Sequence, residues 1–405
     1  MERNSGHLTL RRRFRAFWLK VHLFIALAAG FVFVVLGLTG SVNVFFRELE
    51  ELGLPTQTHH ESHVQPHSLD EIMQTLTAAH PQRKGQWILV LPGYGKTYLW
   101  AIYPNPEETM DEFYAPLRVL VDVYSGEILK ESFWGQTLST LIYEIHASFL
   151  LGKLGSKPGK LGFDIVCFSG LLLLLSALSG LYLWWPRWSK MKTAITFKRR
   201  ASPERFYFDL HKVTGFYAAT VLVTLAFTGF SFSYDDYLKP LIRCFSPIGA
   251  EHLKDPELKS ESAAGGRRIS IADAVAIADS VFPGAELRGV QTPDGPDGVY
   301  VIEKRQSGEA NRLRPRTKIW IDQYTGKVLA VQDPNQFTAG ETFLNLMWPL
   351  HSGEAIGLPG RIAWCVIGFT PLILYVSGIV RWLQKRKAAR RSGAGFKKRL
   401  ERTMG

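Results

Sequence analysis

The chain is poor in cysteine, in charge and in nucleotide-binding glycine motifs. Its 405 residues hold three cysteines, none in C-x-x-C spacing. That excludes a disulfide scaffold, a Cys-ligated zinc site and an iron–sulfur cluster. No G-x-G-x-x-G follows a strand pattern and opens a helix, so no FAD or NAD site is legible. Gly93-Tyr94-Gly95-Lys96 lacks the upstream glycine of a P-loop and reads as a hairpin turn. Charged residues are 21% and hydrophobic residues 46%, but they are not mixed evenly. The apolar residues concentrate in four long runs, which excludes a purely soluble enzyme, a disordered chain and a fibrous repeat.

The runs fall near 22–46, 161–185, 212–233 and 361–384. About 20 apolar residues cross a hydrocarbon core of about 30 Å. The first run follows Arg11, Arg12, Arg13 and Arg15, yet it is longer than a signal h-region and no small-residue cleavage site ends it, so it reads as a retained helix. Segments 1–20, 185–210 and 381–405 carry 23 of the 48 basic residues and only four of the 36 acids, a net of +19; the rest of the chain nets −7. This excess of basic residues is a topology signal rather than a nucleic-acid footprint: both termini and the 185–210 loop lie inside, and the long segments 47–145 and 234–350 lie outside.

The chain reads as internally duplicated. His22 is followed by Gly40 and His211 by Gly229, each 18 residues on. Ser68–His80 and Ser270–Val281 each read as an amphipathic helix, followed by alternating strands that end in VDVYSGEI (121–128) and IDQYTGKV (321–328), with Gly at the turn. Then come Ile145-His146-Ala147-Ser148 and Leu350-His351-Ser352-Gly353, and each half closes on Ser-Gly and tryptophan: Ser179-Gly180 before Trp184 and Trp185, Ser377-Gly378 before Trp382. The fold expected is an α+β membrane protein, a bundle of four transmembrane helices with two external α+β domains. Its segments are a tail and first span (1–46), a first external domain (47–137), an external His helix and second span (138–185), a basic loop (186–210), a third span (211–233), a second external domain (234–341), a second His helix and fourth span (342–384), and a basic tail (385–405).

Of eleven histidines, His7 lies in the basic tail, and His59, His60, His63, His67, His80 and His252 lie in polar stretches. His22, His146, His211 and His351 recur at matching positions in or beside a span, where an ionisable side chain points to function. Neutral imidazole is an axial ligand of haem iron, and a bis-His haem needs two facing histidines from different helices. It also needs small residues where the macrocycle passes. Gly30, Gly37, Gly40, Gly170, Gly180, Gly215, Gly229 and Gly378 supply that room or serve close helix packing. His22 and His211 start spans at the inner side; His146 and His351 lie in short pre-span helices at the outer side. Eighteen residues of helix rise about 27 Å, which favours pairing His22 with His211 and His146 with His351 over pairing within a half. Zinc fits less well, because no carboxylate or Cys joins the pairs at ligand spacing, and Glu144 points away from His146.

The sequence resembles the PepSY-associated transmembrane-helix family, bacterial inner-membrane proteins that include iron-regulated membrane proteins and siderophore-iron reductases. The matching pieces are Leu210-His211-Lys212-Val213-Thr214-Gly215, Leu350-His351-Ser352-Gly353 and the Asp-x-Tyr-[Ser/Thr]-Gly turns at 122–126 and 322–326, in order over nearly the whole chain. Around His22, Lys20-Val21-His22-Leu23 lacks the glycine that follows His211 by four. The resemblance implies two periplasmic PepSY domains, two haem b groups on His22, His146, His211 and His351, and electron flow from inside to periplasm that reduces ferric siderophore. The expected partners are haem, a ferric siderophore, a cytoplasmic reductase or quinol donor, and the lipid bilayer. The expected activity is that of a haem-dependent ferric-chelate reductase in the bacterial inner membrane. Trp134, Tyr143, Phe149 and Trp348 line an electron exit or receive substrate, or form an interfacial aromatic belt. Lys153, Lys160 and Arg361 hold outer haem propionates or flank a span. The competing readings are a non-redox membrane-anchored PepSY binding module and an accessory of siderophore uptake. Cys167 and Cys365 are expected as packed thiols within spans and Cys244 as an unpaired external one.

Overall fold

The computed structural model describes residues 3–403 apart from 53, 55–64, 92–96, 105, 199, 250–254, 262–265 and 313, with side chains described from 10 to 390. The expected turn at Gly93–Lys96 and His59, His60, His63 and His252 lie outside the described residues. The helices in chain order are α1 (Arg3–Asn43), α2 (Phe46–Glu51), α3 (Leu69–Ala79), α4 (Leu138–Ser148), α5 (Ser156–Trp184), α6 (Met191–Ala194), α7 (Pro203–Arg243), α8 (Ile271–Val281), α9 (Ala339–Asn345), α10 (Met347–Ser352), α11 (Gly357–Ile367) and α12 (Thr370–Thr403). The strands are β1 (Ile88–Val90), β2 (Tyr98–Tyr103), β3 (Leu117–Asp122), β4 (Ile128–Phe133), β5 (Glu286–Gln291), β6 (Val299–Arg305), β7 (Thr317–Asp322) and β8 (Val328–Gln332).

Among the described residues, four helical stretches are long and apolar enough to cross a membrane: Leu10–Asn43, Ser156–Trp184, Pro203–Arg243 and Glu354–Arg390. The chain is a membrane protein. Its contacts sort it into two compact units, one of residues Met1–Val44, Ile165–Ser233 and Leu358–Gly405, the other of Phe45–Asp164 and Tyr234–Gly357.

In the membrane unit, small residues let backbones approach. A Cβ on Gly30 would stand 2.5 Å from the Tyr375 ring, on Gly37 2.4 Å from Gly368 O, and on Gly170 2.6 Å from Ala226 O. These three glycines sit where helices approach closely. The fourth span, expected as one run over 361–384, is broken between α11 and α12. Pro371 has no N–H to give to Ile367 O, and Thr370 Oγ1 donates there instead (2.6 Å). Ser41 Oγ reaches across from α1 to Cys365 O (2.8 Å), so the break leaves these carbonyls satisfied.

The sheet unit overturns the expectation of two separate α+β domains. Its eight strands form one antiparallel sheet in the order β4-β3-β2-β1-β5-β6-β7-β8. The seam is β1 on β5, with Leu89 opposite Val290. At its end Trp87 N–H donates to Thr292 Oγ1 (2.8 Å) and Thr292 N–H to Trp87 O (2.9 Å). One apolar core runs through both halves: Ile72, Leu76, Leu89, Leu99, Val119 and Val121 pack in the same cluster as Ala274, Ala278, Val290, Ile302, Ile319 and Ile321. Burying such side chains contributes about 1.5–3 kcal/mol each for the larger ones, so the core that stabilises either half is shared.

The halves repeat in detail. Ser68 with Glu71 and Ser270 with Asp273 form capping boxes at α3 and α8. Asp122 Oδ1 accepts Tyr124 N–H and Asp322 Oδ1 accepts Tyr324 N–H, both at 2.8 Å, and Gly126 and Gly326 both have φ of 70°. The carboxylate and the left-handed glycine together close each hairpin.

Candidate functional site

In the membrane unit His22 on α1 and His211 on α7 come together, with ring centroids 6.3 Å apart and planes at 89°. Each ring is clasped from another span in the same way. His22 Nδ1 lies 3.0 Å from Ser176 O and 3.1 Å from Ser179 Oγ on α5. His211 Nδ1 lies 3.1 Å from both Leu374 O and Ser377 Oγ on α12. A carbonyl oxygen only accepts, so Nδ1 carries the proton and the Nε2 of a neutral ring carries the lone pair. Glycine beside each serine admits the ring: a Cβ on Gly180 would stand 3.2 Å from His22 Cε1, and one on Gly378 would stand 3.4 Å from His211 Cε1. The glycine after His211 is less demanding. A Cβ on Gly215 would meet Leu374 Cδ2 at an ordinary 3.5 Å, so its lack of a counterpart after His22 changes nothing in the clasp.

In the sheet unit His146 in the last turns of α4 and His351 near the end of α10 also come together, with ring centroids 6.3 Å apart and planes at 56°. The chain leaves α4 through two left-handed residues, Phe149 (φ 53°) and Leu150 (φ 64°), and leaves α10 through Gly353 (φ 79°). Glu144, buried on another face of α4, accepts from Trp134 Nε1 (2.7 Å) and Ser148 Oγ (3.0 Å).

The other sequence-derived candidates are placed as follows. Trp134 is buried and packs against Phe46, Tyr114 and Tyr143. Trp134 is therefore packed among the aromatics of this unit. Arg314 lies over the Trp348 ring at 3.7 Å. Burial and then neighbouring Tyr143 push the Tyr114 hydroxyl up, against the charges of Arg314 and Arg118. Lys160 Nζ donates to Asp164 at 2.5 and 2.7 Å. Arg361 gives Nε (3.1 Å) and Nη2 (2.6 Å) to Val44 O. Lys153 Nζ donates to Glu112 (2.6 Å) and Trp134 O (2.9 Å). All three cations expected at propionates thus hold groups of this chain. Gly40 and Gly229 are half-buried in α1 and α7. Cys167 is buried, Cys365 half-buried and Cys244 exposed, all free thiols.

A family model, the PepSY-associated TM region, matches residues 19–385. The chain belongs to this family. No curated protein matches the chain. Within this PepSY-associated transmembrane chain, the residues that sequence reasoning missed are Ser176, Ser179, Leu374 and Ser377. Their signal was present: the Ser-Gly pair that recurs in both halves is the clasp of the membrane-unit histidines. Among the described residues no three of His, Cys, Asp and Glu gather as a metal cluster, so the four histidines meet in twos.

Proposed function

We propose that this PepSY-associated transmembrane chain is a di-haem b electron conduit of the bacterial inner membrane. It takes electrons from a quinol or a cytoplasmic reductase and reduces a ferric siderophore in the periplasm, with both termini in the cytoplasm. One haem belongs between His22 and His211, the other between His146 and His351. The observation that carries this reading is the shared centroid spacing of 6.3 Å in both pairs. Two metal–imidazole bonds of about 2.0–2.1 Å, each extended by a ring radius of about 1.1 Å, span about 6.3 Å on a line. Ligands in twos suit an iron whose four other positions a macrocycle fills, whereas a metal held by protein alone takes four.

Bound haem supplies a one-electron couple at each site. The chain supplies the rest. Ser176 O, Ser179 Oγ, Leu374 O and Ser377 Oγ fix the tautomer and the ring orientation of His22 and His211. Half-burial of all four rings limits water at the ligands. The basic ends of the spans support His22 and His211 toward the cytoplasm, and the charge bias supports His146 and His351 outside. Reduction frees the metal because oxygen donors of the hydroxamate type hold hard Fe(III) better than Fe(II). The matched turns, caps and clasps of the two halves support an internal duplication, which gives one histidine of each pair to each half.

A reduced-minus-oxidised visible spectrum of the purified chain tests this. Low-spin bis-His α-bands from two haems are expected. His22→Ala or His211→Ala removes one, and His146→Ala or His351→Ala the other. A featureless spectrum overturns the reading and leaves a binding module.

A further inference from the structure

After α3 the chain turns through His80-Pro81-Gln82-Arg83, and after α8 through Phe282-Pro283-Gly284-Ala285. The two turns have one backbone. His80 N–H donates to Leu76 O (2.9 Å) and Phe282 N–H to Ala278 O (3.0 Å); Arg83 N–H donates to His80 O (2.9 Å) and Ala285 N–H to Phe282 O (3.2 Å). On the neighbouring strands, Glu131 pairs with Val119 where Val331 pairs with Ile319. Phe, Gly, Ala and Val therefore satisfy this part of the fold in the second half. The first half carries His, Gln, Arg and Glu at the same positions, and the backbone of the turn does not require them.

Together they line a cavity of about 300 Å³, joined by Phe133 and Gln136. His80 and Arg83 are each only 8% exposed. Arg83 Nη2 donates to Glu108, but its Nε is buried and makes no hydrogen bond. His80 Nε2 is likewise buried without a hydrogen bond; Glu131 Oε1 lies 3.2 Å from it, out of hydrogen-bond alignment. Buried polar atoms are normally satisfied, so unused ones lining a cavity point to a ligand. The Gln136 side-chain oxygen accepts from Phe133 N–H (3.0 Å), which leaves its amide NH2 to give.

The signs at the cavity select the ligand. Glu108 takes Arg83 Nη2 and leaves Nε to meet an anion. A lone anion would meet Glu131, and a lone cation would meet Arg83. A molecule with both charges matches both ends. The volume stands at the lower end of small-molecule sites, about 300–1,000 Å³, and admits an amino acid with water beside it. We propose that this cavity binds a small zwitterion of amino-acid size, its carboxylate on Arg83 Nε and His80 and its ammonium on Glu131.

The test uses the full chain purified in detergent, followed by titration calorimetry and thermal unfolding. The probes are L-alanine and L-glutamate, with acetate and ethylammonium as the separate halves. Saturable heat and a raised midpoint with an amino acid are expected, with each half-probe at least about tenfold weaker. The variant His80→Phe with Glu131→Val installs the second half's residues. It is expected to keep the ligand-free midpoint and to lose at least about tenfold in affinity. If its midpoint falls, the same affinity loss is read from Arg83→Ala. No saturable heat with either amino acid below about 10 mM overturns the proposal. So does acetate binding as tightly as L-alanine, or unchanged affinity in the variants.

Discussion

Ser179 Oγ stands 3.1 Å from His22 Nδ1 across 157 residues of chain, and Ser377 Oγ stands 3.1 Å from His211 Nδ1 across 166. Each hydroxyl already donates within its own helix, Ser179 to Ser176 O (3.0 Å) and Ser377 to Leu374 O (3.2 Å). With its proton so placed, each serine oxygen accepts from the imidazole, and the carbonyl beside it accepts as well. Both partners therefore demand a proton on Nδ1. The ring is held in the tautomer that a metal ligand would need.

Removing one of these two acceptors leaves the other. Ser179→Ala and Ser377→Ala are therefore expected to keep the fold and to loosen one ring each. Lost outer partners of a ligating histidine commonly cost about 10–100-fold in metal affinity. In haem titrations of the apo chain, each variant weakens one of the two sites by that order and leaves the other. Equal weakening at both sites, or none, removes the serines from a ligand-holding role.

Gly180→Ala presses on the His22 ring, whereas Gly378→Ala only reaches contact with the His211 ring. The new methyl would stand 3.2 Å from His22 Cε1 in the first and 3.4 Å from His211 Cε1 in the second. The closer contact pushes harder, so Gly180→Ala shifts its redox midpoint further than Gly378→Ala. Potentiometric titration of both variants decides the order, and the reverse order contradicts the clasp geometry.

Local periodicity and composition made the spans, the capping boxes at Ser68 and Ser270 and the turns at Asp122 and Asp322 legible, because each depends on residues a few positions apart. The pairing of Leu89 with Val290 was not legible: nothing near β1 says which edge will meet it, and so one sheet was read as two domains. The Ser-Gly pairs were visible, but their use was not, since the ring they hold lies more than 150 residues away. Lys160 and Arg361 were read as partners of propionates or as residues that flank a span; Asp164, four residues on, holds the first, and Val44 O, 317 residues away, holds the second.

Asp322 sets a pH dependence. Burial raises its carboxyl, but the N–H groups of Thr325, Tyr324 and Glu261 outweigh this and hold it below the usual carboxylate range. A depressed folded value stabilises the fold above the ordinary value, and that contribution is lost as pH falls through the folded value. Asp322→Asn places an amide NH2 against Glu261 N–H, where Oδ2 now accepts at 2.6 Å. Urea midpoints should show the variant less stable by about 2 kcal/mol near neutral pH, with the gap closing as pH falls below the ordinary carboxylate range and the wild-type carboxylate is protonated. A gap independent of pH would show that the carboxylate charge is irrelevant there.

The seam between β1 and β5 makes the sheet unit one cooperative body. Trp87 is 1% exposed, packs its ring on Tyr103 at 5.2 Å, and is tied through its backbone to Thr292 in the other half. Trp87→Ala removes a large side chain from a core that cannot collapse around it, a loss of about 3–5 kcal/mol. Because Ile302 and Ile319 of the second half share the cluster with Leu99 and Val119 of the first, this loss falls on both halves together. Hydrogen exchange resolves the two. Amides of β6 and β7 should lose protection in Trp87→Ala to the same extent as those of β2 and β3. Loss confined to β2 and β3 would mean that the halves unfold as independent domains and that the seam carries little coupling.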